Sequence, residues 1–334
     1  MLDIFNNNAF GVLPLTLAVN EQPHVPGRIG QLGLFEWAGV PTTSVAIDSI
    51  KGVLKLVPTT PRGGPGHQHT SPKASVRNLS TVHIELDDAV NADEVQGVRE
   101  FGQENRLKTV QSVVNGKFGT MQRDVDATIE HLMMGAVKGQ VLDADGSTVL
   151  LDLYQEFGVT ALAAIDFVLG TATTNIKALC SQVIRANIDE LGANPMGKVH
   201  AFCGDSFYDK LSTHPEVRDS YHRQQDSAFL RSGSMAYESF EYGGIIWENY
   251  RGSVGGTPFI ATGDCQFFVR GVPGLFVGRY APADYMETVN TLGLPSYAKL
   301  IPRDNGKGAA LEYQSNPLAL CTRPRTLRRG FTSN

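Results

Sequence analysis

The sequence predicts an α+β fold, because its helical and strand-like patterns do not alternate regularly along the chain. Glycine (35 residues) and proline (17 residues) concentrate outside a few helical stretches, which indicates many strands, turns and extended segments. Apolar residues recur at helical spacing in 123–138 and 176–191, whereas those of 45–57 and 199–203 are strand-like. No internal repeat is visible, so a repeat architecture is not expected.

Composition limits the class of protein. With 334 residues, of which 42% are hydrophobic and 19% charged, the chain is long enough for one large or two ordinary domains, and disorder throughout is excluded. The net charge of −5 is opposite in sign to that of proteins that coat nucleic acid. No apolar run approaches about 18 residues and the N-terminus does not resemble a secretory signal, so we expect neither membrane contact nor export. The four scattered cysteines are expected to be reduced and buried.

The first quarter of the chain predicts two segments that need a neighbour. Residues 1–30 show no periodicity and contain three prolines, so we expect an extended arm that is ordered only on another surface. Strand-like residues follow in 45–57 and 76–86, separated by the polar loop 61–72. Because an isolated two-stranded arm is marginal in water, we expect it to clasp another molecule.

A long helix and a hairpin come next. Residues 93–138 give the best helical pattern of the first half, although glycines interrupt it. The helical pattern is clearest over 123–138. There the following apolar residues share one face: Val125, Ile129, Leu132, Met133, Ala136 and Val137. Asp145-Gly146 lies between two apolar runs and predicts a β-hairpin over 140–154, because the turn needs positive φ.

The second half mixes short elements of both kinds. Apolar spacing predicts a helix that covers 176–191 and ends before Gly192, and Val199–Cys203 predicts a buried strand. Weaker patterns predict helices over 205–211 and 215–222 and strands around 245–250, 259–262, 267–269 and 275–277.

One arrangement superficially resembles a hydrolase. Cys203-Gly-Asp-Ser206 follows a strand and precedes a helix, as in GDSL-type esterases, and would make Ser206 the nucleophile and His222 its base. In that family, however, the serine and histidine blocks lie near opposite ends of the chain, whereas here they are close together. A helix N-cap role for Asp205 or Ser206 explains the same residues. We therefore expect no catalysis by Ser206.

The candidate ligand sets are weak as well. His67 and His69, with His24 as a third ligand, lack the ordered second shell that a metal site needs, so a polar loop tip is favoured. Asp143–Thr148 opens like a calcium loop, but Tyr154 stands where the bidentate glutamate should be. We accordingly predict no enzyme activity, no cofactor and no metal.

The C-terminal segment is basic, with Arg323, Arg325, Arg328 and Arg329. Two interpretations remain open from the sequence. The favoured one is a solvated chain end, and the other is contact with an acidic partner surface or a packaged polyanion.

Two C-terminal stretches carry a family resemblance. Residues 279–299, RYAPADYMETVNTLGLPSYAK, and 312–324, EYQSNPLALCTRP, resemble the closing region of the lambda-like major capsid proteins of tailed phages, often called major capsid protein E. The glycine-rich loop at Arg62-Gly63-Gly64 and the strand–helix unit 199–211 occur in the family's order. The resemblance covers nearly the full length.

The resemblance implies the Hong Kong 97-like capsid fold. On that basis residues 1–44 would be the N-terminal arm, 45–90 the extended two-stranded loop and 91–158 the peripheral domain with its long spine helix. Residues 159–290 would form the axial domain, and 291–334 would return to the peripheral domain.

The resemblance further implies a major capsid protein of a tailed phage or prophage, which assembles as hexamers and pentamers into an icosahedral shell around DNA. Implied partners are other copies, scaffold and portal proteins and a decoration protein, with at most weak, non-specific DNA contact. The implied location is the virion, and the host cytoplasm during assembly. An encapsulin-like cellular shell protein is the alternative. The expected interface residues are Arg62, Gly63, Gly64, His67, His69, Arg325 and Arg328.

Overall fold

A computed structural model of the chain describes residues 12–20, 27–49, 75–96, 106–192, 197–223, 239–254 and 257–334. The helices in these ranges are α1 (Val12–Asn20), α2 (Arg28–Gln31), α3 (Ala92–Gln96), α4 (Arg106–Lys138), α5 (Leu153–Phe157), α6 (Ile176–Leu191), α7 (Asp205–Thr213) and α8 (Pro215–Arg223). The strands are β1 (Glu36–Gly39), β2 (Ser44–Ser49), β3 (Ser75–Ser80), β4 (Ile84–Asn91), β5 (Gln140–Leu142), β6 (Val149–Asp152), β7 (Ile165–Asp166), β8 (Val199–Cys203), β9 (Ser239–Tyr242), β10 (Ile245–Asn249), β11 (Ser253–Val254), β12 (Thr257–Pro258), β13 (Asp264–Val269), β14 (Phe276–Tyr280), β15 (Tyr297–Pro302), β16 (Gly308–Ser315), β17 (Pro317–Cys321) and β18 (Arg328–Phe331). The irregular order of helices and strands confirms the predicted α+β class.

The strands form separate sheets. The largest described sheet has six strands in the order β7-β18-β13-β8-β10-β9. Two three-stranded sheets have the orders β1-β14-β17 and β15-β16-β4, and the pairs β2-β3, β5-β6 and β11-β12 are two-stranded.

The chain divides into two compact units built from distant parts of the sequence. Unit 1 comprises Met1–Ala46, Asn78–Leu132 and Val277–Ala319. Unit 2 comprises Ile47–Arg77, Met133–Phe276 and Leu320–Asn334. The chain therefore passes between the two units several times, and no single cut in the sequence separates them.

In unit 1, helix α4 packs against the sheet β15-β16-β4. Strand β16 pairs with β4 in antiparallel register from Gly308↔Asn91 to Ser315↔Ile84. Phe118 of α4 contacts Tyr313 of β16, with ring centroids 6.5 Å apart. Val114, Phe118, Met121 and Val125 are all buried, and their spacing places them on one face of α4. At Phe118 the apolar face of the helix thus packs against this unit's own sheet.

Glu130 of α4 fixes the start of helix α2. Its carboxylate is buried and accepts hydrogen bonds from the amides of Ile29 (2.7 Å) and Gly30 (3.4 Å). These amides belong to the first turn of α2, where no helical carbonyl is available to them. A Cβ at Gly27 would lie 2.4 Å from the Glu130 carboxyl carbon, so a larger residue there would have to displace this carboxylate. One acidic side chain on the long helix therefore anchors the N-terminal segment.

Replacing Glu130 with alanine should lower the free energy of unfolding by about 1–3 kcal/mol, because the buried α2 amides lose a charged acceptor. Chemical denaturation measures this loss, and hydrogen exchange should show faster exchange of the Ile29 amide. Glu130→Gln keeps an acceptor oxygen and serves as the control, and we expect it to lower the free energy of unfolding by less than the alanine variant does. Unchanged exchange at Ile29 in the alanine variant would contradict the anchoring role.

In unit 2, aromatic residues pack on both faces of the six-stranded sheet. One face carries Trp247 and Phe267, whose ring centroids are 5.4 Å apart, and Phe167 and Phe207 pack against Trp247 there. The opposite face carries a buried polar pair in which His200 Nε2 lies 3.0 Å from Glu248 Oε2.

That second face also contacts the end of α4. Gln266 of β13, on the same face as Glu248, donates a hydrogen bond of 3.0 Å from its Nε2 to the carbonyl of Val137. This bond satisfies one of the last carbonyls of the helix, which have no partner within the helix itself. In unit 2, one face of the six-stranded sheet is therefore packed with apolar side chains, whereas the other face includes buried polar side chains that form hydrogen bonds.

The prediction of an extended arm over residues 1–30 is wrong for the described part, because Val12–Asn20 and Arg28–Gln31 are helical. Pro14 misled the prediction: it lies in the first turn of α1, where the missing N–H costs no helical hydrogen bond. Leu15 and Val19, four positions apart, are both buried. Residues 1–11 and 21–26 lie outside the described ranges.

The two strands of the predicted extended loop are present and pair as β2 and β3. The second is shorter than expected, because the chain leaves it after Ser80 and enters β4 of another sheet at Ile84. The intervening residues 50–74 lie outside the described part, so the clasp stays a prediction.

Most elements predicted from local patterns are confirmed. The glycines at 116 and 119 do not interrupt α4, while residues 97–105 are not described. The hairpin β5-β6 forms, with Gly146 at φ 70° in its turn, although residues 153–154 belong to helix α5. The helix over 176–191, the strand over 199–203 and the two short helices that follow are all observed.

Three predictions in the second half are wrong in detail. Residues 259–262 are irregular, because the chain bends there and the amide of Asp264 bonds back to the carbonyl of Ala261. The strand predicted at 275–277 lies further along, at Phe276–Tyr280. On α6 the expected core residue Ile188 is 46% exposed, and Asn187 occupies the buried position instead.

The four cysteines are free and buried, as expected. Burial raises the pKa of Cys180 to about 12 and that of Cys321 to about 12, so both thiols stay protonated at neutral pH.

Candidate interface residues

The basic C-terminal segment is part of the fold. Residues 324–326 form a 3₁₀ turn and β18 pairs with β13 and β7 in the six-stranded sheet. The expectation of a solvated chain end is therefore wrong. The sequence concealed this role because a strand of only four residues, Arg328–Phe331, carries two arginines and a glycine.

Two of the four arginines bind their own chain firmly. Arg323 donates to the carbonyls of Glu190 (3.3 Å) and Leu191 (3.1 Å), the last carbonyls of α6. Arg329 forms two bonds to the carboxylate of Asp264, of 2.9 and 3.0 Å. The side-chain hydrogen bonds that Arg329 donates to Asp264 raise the pKa of its guanidinium. Both residues stabilise the subunit, and 59% of the Arg329 side chain is nevertheless exposed.

The two arginines named as interface candidates, Arg325 and Arg328, are held less completely. Arg325 Nε lies 3.6 Å from Glu190 Oε2, and 45% of its side chain is exposed. Arg328 donates from Nε to the carbonyl of Ala163 at 2.9 Å, and desolvation lowers the pKa of its guanidinium. The structure thus leaves much of the Arg325 side chain accessible.

The other interface candidates, Arg62, Gly63, Gly64, His67 and His69, lie outside the described residues, as does His24 of the suggested metal set. Within the described ranges, no group of three or more His, Cys, Asp or Glu side chains could hold a metal ion.

The turn that opens like a calcium loop is closed by its own side chains. The Asp145 carboxylate accepts bonds from the amides of Ser147 (2.9 Å) and Thr148 (2.8 Å) and from both hydroxyls. These bonds, led by that of the Thr148 hydroxyl, hold the pKa of Asp145 well below its ordinary value. The carboxylate is occupied in stabilising the hairpin turn.

The predicted N-cap role of Asp205 or Ser206 is wrong. Gly204 is the N-cap of α7, and Asp205 lies in the first turn, 3.0 Å from Arg251. A Cβ at Gly204 would lie 2.2 Å from the Ala261 carbonyl oxygen, so packing alone explains the glycine of this motif. Ser206 is partly buried on α7, and the side chain of its suggested base, His222, lies outside the described part.

An exposed apolar loop was missed in the sequence. Within residues 286–294, Met286, Val289, Leu292 and Leu294 are 88%, 58%, 66% and 37% exposed. The loop lies inside the stretch that carries the family resemblance, to which no role was assigned. The available clue was four large apolar residues in a segment that also contains Asn290 and Gly293, residues typical of a surface loop.

Hydrogen bonds hold this loop in one conformation. The Thr288 hydroxyl donates to the carbonyl of Ala283 at 2.7 Å, and the Thr291 hydroxyl donates to that of Thr288 at 2.7 Å. At the other end the Leu294 amide donates to the Tyr297 hydroxyl at 2.9 Å. The apolar side chains are thus presented to solvent from a fixed backbone, which reduces the entropy cost of covering them.

A cleft between β4 and α4 is the second open feature of unit 1. It has a volume of about 500 Å³ and is lined by Asp87, Asp88, Asp124 and Lys117, with apolar residues beneath. Lys117 lies 2.8 Å from Glu94 and 3.4 Å from Asp88, and it also donates to the carbonyl of Ala89. The ammonium group of Lys117 is therefore already paired with Glu94 and Asp88.

No helix among the described residues combines the length and apolarity needed to span a membrane.

Comparison with known proteins finds two phage major capsid proteins that are similar to this chain over nearly its full length. The chain is 28% identical to the major capsid protein of Salmonella phage Felix O1 (isolate Felix O1-VT1), over 98% of this chain and 97% of that protein. It is 27% identical to the major capsid protein of Pseudomonas phage KPP10, over 97% of each chain.

Structural comparison agrees on the fold. A prophage protein of E. coli CFT073, assigned as a capsid protein, superposes with a TM-score of 0.60 at 13% identity, over 97% of this chain and 99% of that one. The fold is accordingly the Hong Kong 97-like capsid fold expected from the sequence. The profile of the family described as phage major capsid protein E matches residues 11–332. The chain belongs to the phage major capsid protein E family.

Proposed function

We propose that the chain is the major capsid subunit of a tailed phage or prophage, assembling as hexamers and pentamers into an icosahedral shell that encloses DNA. The observation that carries the proposal is the family match over residues 11–332, with two relatives aligned end to end that are both phage major capsid proteins. Shell subunits act by binding one another, so the proposal assigns the chain no catalytic step.

The domain assignment forms part of the proposal. Residues 1–44 are the N-terminal arm, 45–90 the extended loop, 91–158 the peripheral domain, 159–290 the axial domain and 291–334 the return to the peripheral domain. Helix α4, 33 residues long, would be the spine helix. The paired strands β2 and β3 support an extended loop that starts from a defined base.

The partners follow from the same role. Other copies of the chain are the main partners, and scaffold and portal proteins would be needed to build a closed shell with one entry for DNA. A decoration protein is the further candidate. The net charge of −5 allows at most weak contact with the packaged DNA. The subunit would assemble in the host cytoplasm and remain in the virion.

Two alternatives are less well supported. An encapsulin-like shell would load a cargo protein where a phage capsid packages DNA, and the two full-length relatives are both from phages. Hydrolysis by Ser206 would require an active parent protein and full loss of ester hydrolysis in Ser206→Ala. The partly buried position of Ser206 on α7 gives no support for it.

Deleting Thr59–Ser71 should leave a folded subunit that cannot form closed shells, because this polar segment, rich in glycine and proline, would reach a neighbour. Electron microscopy scores the shells, and chemical denaturation verifies the subunit. The matched control replaces the same residues with a glycine–serine segment of equal length. If neither variant forms shells, side chains of this segment, such as Arg62, make the contact with the neighbour. If only the deletion variant fails to form shells, the length of the segment is what matters. Normal shells from both would overturn the clasp.

A further inference from the structure

We propose that Cys203 and Cys265 form a redox site, in which two free thiols close into a cross-strand disulfide when the subunit meets an oxidant. Both residues belong to unit 2 of one chain, so the inference does not rest on the proposed function. Both cysteines are free, and their side chains are 0% and 1% exposed. They lie on β8 and β13, the two central strands of the six-stranded sheet.

The strand register places the two cysteines directly opposite each other. Strands β8 and β13 are antiparallel, with Cys265 as the partner of Cys203. The next pair along the strands is hydrogen-bonded, because the amide of Gly204 donates to the carbonyl of Asp264 at 2.9 Å. Hydrogen-bonded and non-hydrogen-bonded pairs alternate in an antiparallel ladder, so Cys203 and Cys265 form a non-hydrogen-bonded pair.

A pair of this kind meets the distance requirement of a disulfide. The Cα atoms of a non-hydrogen-bonded pair are about 4.5 Å apart, and the two side chains project from the same face of the sheet. Disulfides join Cα atoms that are about 4.4–6.8 Å apart. Burial, and then the neighbouring Cys203 thiol, raise the pKa of Cys265 well above its ordinary value, which agrees with two thiols that lie close together.

The surroundings of the pair leave space for the sulfur atoms. Gly330 of β18 is the partner of Cys265 on its other side, and a Cβ there would lie 2.6 Å from Cys265 Sγ. Glycine at this position therefore provides the space that the Cys265 thiol occupies. Cys203 Sγ lies 3.9 Å from the carbonyl oxygen of Ala201, and a thiol is a weak donor, so this contact does not hold the sulfur firmly.

Closure of the disulfide requires an oxidant, and an organic disulfide such as oxidised glutathione is one. One cysteine attacks the oxidant, forms a mixed disulfide and releases the first glutathione thiol. The other cysteine then attacks the sulfur of the first and releases the second glutathione thiol. Two cysteine S–H bonds and the S–S bond of the oxidant break, one S–S bond forms between β8 and β13, and the two glutathione thiols take up the two protons and two electrons. A subunit that folds in a reducing compartment would keep both thiols and gain the disulfide in an oxidising medium.

The test must give the oxidant access to the buried thiols. The dilute full-length chain is incubated with oxidised glutathione at the lowest denaturant concentration at which a maleimide labels both Cys203 and Cys265 in a parallel sample. Peptide mapping without reductant then identifies the linked cysteines. We expect the Cys203–Cys265 link to be about tenfold more abundant than any other cysteine pairing. Thiols that the maleimide labels but that stay unlinked under these conditions would overturn the proposal.

The chain provides its own controls, because Cys180 and Cys321 are also free and buried. Cys180 lies on α6 and Cys321 at the end of β17, and neither belongs to the pair of strands β8 and β13. In Cys203→Ala, Cys265 should remain without a link to another cysteine of the chain, whereas Cys180→Ala should form the Cys203–Cys265 link as the parent does. A Cys203→Ala chain that links Cys265 to Cys180 or Cys321 in the parent's yield would show unselective oxidation and contradict the site.

Discussion

Replacing Glu248 with alanine should lower the free energy of unfolding of the subunit by about 3–5 kcal/mol, because it leaves His200 buried without its carboxylate. The two side chains are 0% and 2% exposed, and Glu248 Oε2 lies 3.0 Å from His200 Nε2. Because both side chains are buried, bulk water has little access to replace the lost partner. Denaturant unfolding of the dilute subunit measures the change.

Two control variants make this test specific. Glu241→Ala removes a glutamate of the neighbouring strand β9, whose 2.7 Å pair with Lys198 is more than half exposed, and should cost only about 0–1 kcal/mol. The double variant His200→Phe, Glu248→Leu removes both polar groups and should be far more stable than Glu248→Ala. A Glu248→Ala subunit within 1 kcal/mol of the parent would contradict the role assigned to the pair.

Trp247→Ala should be as damaging, with a loss of about 3–5 kcal/mol, because it removes the largest fully buried side chain of the described structure. Its ring lies 5.4–6.0 Å from those of Phe167, Phe207 and Phe267. Its Nε1 also donates to the carbonyl of Tyr242 at 3.1 Å. The substitution therefore creates a cavity among aromatic rings and removes a buried hydrogen bond to the Tyr242 carbonyl.

The chain offers a matched control, since its other tryptophan, Trp37, is half-buried. Trp37 stacks on Tyr280 with ring centroids 4.4 Å apart, and Trp37→Ala should cost distinctly less than Trp247→Ala. Tryptophan fluorescence provides a second readout, because Trp37→Phe leaves Trp247 as the sole emitter, with the blue-shifted spectrum of a buried indole. A red-shifted spectrum from that variant would place Trp247 in water and contradict the packing.

Local sequence patterns predicted the elements that carry their own signals. Helix α6 has a clear apolar spacing and an Asn175 side chain that caps its start, and the β5-β6 hairpin has Asp145-Gly146 at its turn. Helix α1 was missed because Pro14 was interpreted as a break, although proline is tolerated in the first turn of a helix. The errors arise where one residue type is compatible with two structures.

Long-range contacts were not predictable from the same patterns. The pairing of β4 with β16 joins Leu86 to Tyr313, and nothing in either strand specifies so distant a partner. The Arg329–Asp264 pair likewise belongs to a segment that looks like a basic tail but forms an inner strand of the six-stranded sheet, between β7 and β13. The exposed loop at 286–294 was missed because exposure depends on the whole fold.

Electron microscopy of the purified recombinant chain, with light scattering on the same sample, tests the central claim most directly. The proposal of a shell subunit predicts closed icosahedral particles, or rings of five or six subunits. If scaffold is needed, its addition should produce them from a folded subunit. A chain that stays monomeric or dimeric with its scaffold present, and at concentrations typical of shell assembly, would contradict the proposed function.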